Sequence, residues 1–211
     1  MPDCKYCEEL GRKSLKFENK DYGNRILFEN KNFIVFPSLG QFVGGYLLIA
    51  PKQHCTGIGG LPSELYAELE QIKRKVREVL VKHYQKPIFF EHGCVEERKK
   101  AGCCVDHAHL HCIPVPEGLD LFKDITKHFA GKEIQSYSEL KRQFEKKIPY
   151  LFYENQEGKK YLFELQDPIP SQWLRQILAV KLGISKKWDW REYPELEILD
   201  QTIEKLKGKF R

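Results

Sequence analysis

Asp106-His107-Ala108-His109-Leu110-His111-Cys112-Ile113-Pro114 places a histidine at every second position of a short run. In an extended chain successive side chains point to opposite faces, so His107, His109 and His111 share one face. Asp106, Ala108, Leu110 and Cys112 take the other. The alternation predicts a strand over residues 105–113, halted by Pro114. Each neutral imidazole carries one donor and one acceptor, so three of them on a buried face are costly unless each has a partner or a task. Satisfied core histidines are the bland alternative. The small apolar spacers and the Ile-Pro close favour a functional set, with Asp106 as a strand cap.

Outward from this run, residues 25–28 and 33–36 are short β-runs joined by the turn-prone Glu29-Asn30-Lys31-Asn32. Gly44-Gly45 releases a third run, Tyr46-Leu47-Leu48-Ile49-Ala50, which ends at Pro51. Pro62-Ser63-Glu64 starts a helix in which Leu65, Leu69, Ile72, Val76 and Leu80 recur at helical spacing. Residues 87–91 read as a strand and 96–102 as a charged loop. Residues 119–148 read as one or two charged helices, and 150–153 with 161–165 as a hairpin. Residues 171–182 form an amphipathic helix stopped by Gly183. The chain opens on a Cys-x-x-Cys turn and stays polar to about residue 24. Several antiparallel strands around one long helix make the fold class α+β. Composition shifts after Pro116, so a domain of residues 1–116 is expected, with residues 117–211 as an α/β extension packed on it.

The triad resembles the His-φ-His-φ-His-φ-φ signature of the histidine-triad superfamily, φ being apolar. The similarity extends upstream. Phe28-Glu29-Asn30-Lys31-Asn32-Phe33-Ile34-Val35-Phe36-Pro37-Ser38-Leu39, followed by Gly45-Tyr46-Leu47-Leu48-Ile49-Ala50-Pro51-Lys52-Gln53-His54, is similar to the family's nucleoside-binding hairpin and its φφφ-Pro-Lys-x-His strand end. The resemblance covers about residues 4–116. It implies that His109 attacks an α-phosphate and is itself nucleotidylated, which divides one hard displacement into two easier ones. It also implies that the backbone carbonyl of His107 holds the Nδ1–H of His109, while His111 donates to a non-bridging phosphate oxygen. Members that pass the nucleotide to a second phosphate carry Gln at the third position, so His111 favours hydrolysis.

The Cys4-Lys5-Tyr6-Cys7 turn reads as a metal half-site or a redox pair. A thioredoxin-like motif needs a βαβ start, which three preceding residues do not supply. Two thiolates and two imidazoles make a closed tetrahedral zinc site. Zinc-bearing relatives, including the galactose-1-phosphate uridylyltransferase branch, use a set that corresponds to Cys4, Cys7, His54 and His107. Phe89-Phe90-Glu91-His92-Gly93 resembles that branch's Phe-Glu-Asn-x-Gly strand end. There His92 is a phosphate donor, a leaving-group acid or a plain loop histidine. Ser38 stands where many of these hydrolases place an Asp against the ribose, and Cys104 replaces a hydroxyl donor. Phe28, Phe36 and Leu39 either clamp a base or belong to the core. Ser171-Gln172-Trp173-Leu174-Arg175 and Trp188-Asp189-Trp190-Arg191 pair tryptophan with arginine. Such a pair can stack on a base and grip a phosphate, but docking of a tail helix is the preferred reading.

Hydrophobic residues are 41 % and charged ones 31 % of the 211, enough apolar material for a sizeable core. No apolar run reaches membrane-spanning length and the start is polar, so a cytoplasmic chain without leader or anchor is expected. The net charge of +5 gathers in Lys141-Arg142, Lys146-Lys147 and residues 205–211. It reads as solvated helix faces rather than a nucleic-acid patch, though it would help draw in a polyanionic nucleotide. The seven cysteines read as ligands and small core residues, with Cys103-Cys104 packing rather than forming a vicinal disulfide. The expectation is a zinc-stabilised nucleotide hydrolase. It acts on dinucleoside polyphosphates or related phosphoanhydrides and phosphoramidates. The resemblance implies a homodimer through helix and strand edge, unless residues 117–211 cover that edge and keep the chain monomeric. A nucleotidyltransferase or phosphorylase, and a non-catalytic nucleotide- or RNA-binding protein, are the rivals.

Overall fold

The apolar runs on either side of the histidines all become strands of one antiparallel sheet. The computed structural model describes residues 4–17, 20–21, 23–96, 102 and 105–210. Its first half holds α1 (Lys5–Arg12), β1 (Lys16–Phe17), β2 (Lys20–Asp21), β3 (Phe28–Glu29), β4 (Phe33–Pro37), β5 (Leu47–Pro51), α2 (Tyr66–His83), β6 (Pro87–Gly93) and β7 (Leu110–Pro114). The second half adds α3 (Phe122–Thr126), β8 (Gly131–Ile134), α4 (Ser138–Glu145), β9 (Tyr150–Glu154), β10 (Lys160–Glu164), α5 (Trp173–Lys181) and α6 (Leu196–Leu206). The α+β class read from the sequence is the one observed.

The eight-stranded sheet runs β3-β4-β5-β7-β6-β9-β10-β8. β6 pairs on one side with β7, Phe90 opposite His111, and on the other with β9, Phe90 opposite Tyr153. Strands from both sides of residue 116 therefore share one sheet, and β9 fills the second edge of β6.

Each face of the sheet buries its own core. On one face Leu69, Ile72, Val76 and Leu80 of α2 meet Phe33, Val35, Leu47, Ile49, Leu110 and Cys112, as the helical spacing and the strand alternation require. Lys73 of α2 reaches across to Glu154 of β9 at 2.6 Å, a buried ion pair between the two halves. On the other face Ile34, Phe36, Tyr46, Leu48 and Phe90 meet Leu174 and Leu178 of α5. The triad histidines belong to this second face, beneath α1 and α5. No helix among the described residues is long and apolar enough to cross a membrane.

Several expectations change. The strand predicted over 105–113 starts at Leu110, because Pro51 at the end of β5 has no N–H to continue the ladder and its carbonyl accepts a bond from His107. The opening polar stretch is a helix, α1, followed by a two-stranded ribbon, rather than a turn and loop. Within the segment read as charged helices, Gly131–Ile134 is an edge strand on β10. Three of its four residues are exposed, so it shows no apolar run to read. Cys94 is disulfide-bonded, so the cysteines are not all ligands and packing thiols. Residues 97–101 of the loop read over 96–102 lie outside the described residues, as do Cys103 and Cys104.

Candidate active site and metal centre

The residues that could hold a metal come from three separated segments. The Cys-x-x-Cys puts Cys4 just before α1 and Cys7 in its first turn, one turn apart on the same side. His54 follows the end of β5 and His107 precedes β7. Cys4 Sγ lies 3.4 Å from His107 Nδ1, and Cys7 Sγ lies 3.4 Å from His54 Nδ1 and 3.5 Å from His107 Nδ1. All four donor atoms fall within 4.8 Å of one another. The N···S spacings sit close to the edge of about 3.6 Å that Zn–S and Zn–N bond lengths give a tetrahedron. His107 donates Nε2–H to the Pro51 carbonyl at 2.8 Å, which fixes the tautomer and leaves the Nδ1 lone pair toward the thiols.

His92, His109 and His111 open together onto a cleft of about 240 Å³. His109 donates Nδ1–H to the carbonyl of His107 at 2.6 Å, so its Nε2 lone pair is left to the cleft. Burial pushes the His109 ring down to about 4, keeping it neutral at pH 7. His111 stacks on Phe90 with ring centroids 4.4 Å apart. The Tyr46 hydroxyl meets His111 Nδ1 at 2.5 Å. Burial, with His109 and His92 beside it, holds His111 well below its usual value. A neutral His111 that accepts from Tyr46 presents Nε2–H as a donor. Tyr46 was legible only as part of an apolar run, because a hydroxyl at the edge of the triad carries no motif.

His92 lies at the end of β6, where its Nε2 accepts the Leu174 backbone N–H of α5 at 3.3 Å. Burial and the charges nearby push it down to about 3, so it is neutral with Nδ1–H as its donor. Its neighbour Glu91 points to the other face and accepts from Ile58 N–H and Tyr150 O–H. Burial outweighs those bonds and raises its carboxyl to about 8.

Among the substrate-contact residues read from the sequence, Ser38 and Leu39 line the cleft beside the histidines, with Ser38 Oγ donating to the Leu39 carbonyl at 2.8 Å. Phe36 packs behind it, beneath Tyr6 at 5.4 Å between ring centroids and the Arg25 guanidinium at 4.7 Å. Cys104 lies outside the described residues. Phe28 is on the far face, packed against the α2 core. Sequence reasoning did not place three further groups. Tyr6 of α1 meets His109 edge-on at 5.4 Å. Arg25 makes a bidentate pair with Glu9 at 2.7 and 2.8 Å and closes one wall. Trp190 forms part of the rim.

The C-terminal segment reaches the cleft through Arg175. Its Nε donates to the Trp188 carbonyl at 2.9 Å and its Nη2 to the Gly40 carbonyl at 3.0 Å. The guanidinium lies over the Phe42 and Tyr46 rings, 4.6 and 5.1 Å from their centroids. Gly40 has φ +68°, and a Cβ there would stand 2.5 Å from Arg175 Nη2, so both backbone conformation and space require glycine. Thr202 of α6 braces the same loop through the Gly45 N–H and the Gln41 side chain.

A family model described as "Protein similar to CwfJ C-terminal" matches residues 5–127. A fusion protein of nitrilase and fragile histidine triad from Caenorhabditis elegans is 29 % identical over 91 residues, covering 43 % of this chain and 20 % of that protein. A bis(5'-adenosyl)-triphosphatase from Dictyostelium discoideum is 25 % identical over 138 residues, covering 63 % and 88 %. The chain spans less than a third of the length of the first curated relatives it matches. A zinc-bound histidine-triad family protein from Mycobacterium smegmatis superposes with a TM-score of 0.44 at 20 % identity, over 56 % of this chain and 79 % of that one. The histidine-triad resemblance drawn from residues 106–114 agrees with the name of the nitrilase and fragile histidine triad fusion protein.

Proposed function

The chain belongs to the family of proteins similar to the CwfJ C-terminal region, and on that premise we propose that it is a nucleotide hydrolase working through a nucleotidyl-histidine. The observation that carries the reading is the His109 ring. It is neutral and fixed by its Nδ1–H to the His107 carbonyl, with Nε2 left to the cleft. The substrate proposed is a dinucleoside polyphosphate or a related phosphoanhydride or phosphoramidate, supported by the likeness to the Dictyostelium triphosphatase.

In the first step His109 Nε2 forms a bond to the α-phosphorus while the bond to the leaving group breaks, its electron pair departing with that group. The His107 carbonyl takes up part of the positive charge that develops on the ring. His111 donates Nε2–H to a non-bridging oxygen, with Tyr46 O–H holding its Nδ1 as acceptor. In the second step water forms the new P–O bond, the N–P electrons return to Nε2, and the water's proton passes to solvent. A nucleoside monophosphate leaves. His92, Ser38 and Leu39 are the proposed substrate contacts.

Cys4, Cys7, His54 and His107 are proposed to hold zinc, which their donor spacing fits. Four protein ligands leave it no open position, so its contribution is structural. Held by these residues, it would tie α1, the end of β5 and the start of β7 into one block and so steady the His107 carbonyl that orients His109.

Mass spectrometry of the protein incubated with a panel of dinucleoside polyphosphates tests this reading. A nucleotidyl adduct on His109 that water discharges is the expected result. Turnover that persists at near-normal rate in His109→Ala defeats it.

A further inference from the structure

We infer that Arg175 is a phosphate-binding group of the cleft, supplied by the C-terminal segment. The inference deepens the nucleotide reading above, since the anion is the phosphate which that reading brings to His109. Arg175 is 2 % exposed. A buried charge is expensive unless something neutralises it, and arginine does not shed its proton to escape the cost. Both of its hydrogen bonds go to backbone carbonyls, so no carboxylate among the described residues balances it. The third nitrogen, Nη1, makes no hydrogen bond among the described residues. It is not a sealed orphan either, because Arg175 forms part of the cleft wall with His92, His109 and His111.

The cation is also preorganised. Two nitrogens are tethered to carbonyls of two separate segments, at Gly40 and Trp188, and the guanidinium carbon lies over two rings. The fork therefore points one way before any ligand arrives, which removes most of the ordering cost of gripping an anion. Its charge is felt by both His92 and His111, which places it beside the reacting groups. A planar guanidinium with free N–H donors matches phosphate oxygens. A clamp that only fastened the Gly40 loop to the Trp188 turn would need the two carbonyl bonds and no cation open to the cleft.

Calorimetric binding of AMP and adenosine to the wild-type protein, Arg175→Lys and Arg175→Gln separates the two roles. The wild type should prefer AMP to adenosine. Arg175→Gln should shrink that preference about ten- to a hundredfold, the loss expected for charge-assisted hydrogen bonds, with adenosine affinity nearly unchanged. Arg175→Lys should retain part of the preference, and His109→Ala all of it. An unchanged preference in Arg175→Gln, or an equal fall for both ligands, overturns the assignment. If Arg175→Gln does not fold, the side-chain ¹⁵N resonances of Arg175 in the wild type, followed through an inorganic phosphate titration, decide the matter. A saturable shift supports the site; no shift overturns it. The same holds if the wild type binds neither AMP nor adenosine. An AMP preference that depends on Arg175 without any adduct on His109 would leave this site standing and remove the hydrolase. An adduct with an unchanged preference would do the reverse.

Discussion

His107 and His109 are two residues apart, yet their rings are wired in reverse. His107 gives Nε2–H to the Pro51 carbonyl and turns Nδ1 to the thiols of Cys4 and Cys7. His109 gives Nδ1–H to the His107 carbonyl and leaves Nε2 to the cleft. Both are neutral imidazoles on the same side of the chain. What separates the proposed metal donor from the proposed nucleophile is which nitrogen the backbone has already claimed and what the other one faces. The two clusters also differ in density. Four donor atoms converge within 4.8 Å at the first, whereas the rings of His109 and His111 stand 4.7 Å apart at the second, each satisfied on one side and open on the other.

The comparison breaks most sharply at His109. His109→Ala should lower kcat by about 10⁴-fold or more while leaving zinc content and nucleotide affinity nearly unchanged, as followed by steady-state kinetics and elemental analysis. Cys4→Ser with Cys7→Ser should do the opposite. Metal content should vanish and the midpoint of thermal unfolding should fall by roughly 10 °C or more, since the binding free energy of a structural metal is folding free energy. Residual turnover at the folded temperature would then measure how far the metal cluster positions His109. An unchanged midpoint and metal content would remove the metal centre altogether.

Finer effects test the orientation of the rings. His111→Ala should cost about 10²- to 10³-fold in kcat, as for the loss of one donor to a developing oxyanion. Tyr46→Phe removes only the hydroxyl that fixes the His111 tautomer. It should cost about tenfold, with KM little changed. A Tyr46→Phe enzyme at wild-type rate would show that His111 needs no orienting partner.

Changes of pH test the fold rather than the chemistry of the rings. His109 held down to about 4, His92 down to about 3 and His111 below its usual value all bind fewer protons folded than unfolded as pH falls below about 6.5. Their contribution is complete above pH 6.5 and is lost on acidification. Glu91, raised to about 8, works the other way, because its folded form keeps a proton that the unfolded chain has released. The histidines outnumber Glu91, so stability should fall as pH drops from 6.5 to 4.5. Denaturant melts at pH 7.5, 6 and 5 measure it. The rate at saturating substrate should stay flat over that interval until the fold itself fails.

The triad, the long helix α2 and the β9–β10 hairpin were legible because period two and period 3.6 are written in apolar spacing. The metal set was legible in residue type, Cys-x-x-Cys with two histidines, although only the fold brings residues 4, 54 and 107 together. The helix α1 was not. It contains Gly11 and lacks a capping side chain at Cys4, so its local signal is that of a turn. The cleft wall was hidden for a different reason. Arg175 and Gly40 are 135 positions apart, and nothing local in either segment announces the other. Tryptophan beside arginine drew attention to residues 171–175, but docking and anion binding leave the same mark in a sequence. The structure shows Arg175 making the docking bonds while one corner stays open.

Thr202 grips the loop around Gln41 from the far end of the chain, donating to the Gln41 side chain and accepting the Gly45 N–H across 161 and 157 positions. Contacts of such separation form late, since the loop they close must first be ordered. During synthesis the triad strand is complete before the second half of the sheet exists, and the loop beside Ser38 and Leu39 lacks its Thr202 brace until α6 has been made. A chain released before Leu196–Leu206 would therefore carry all three histidines yet lack a finished cleft wall.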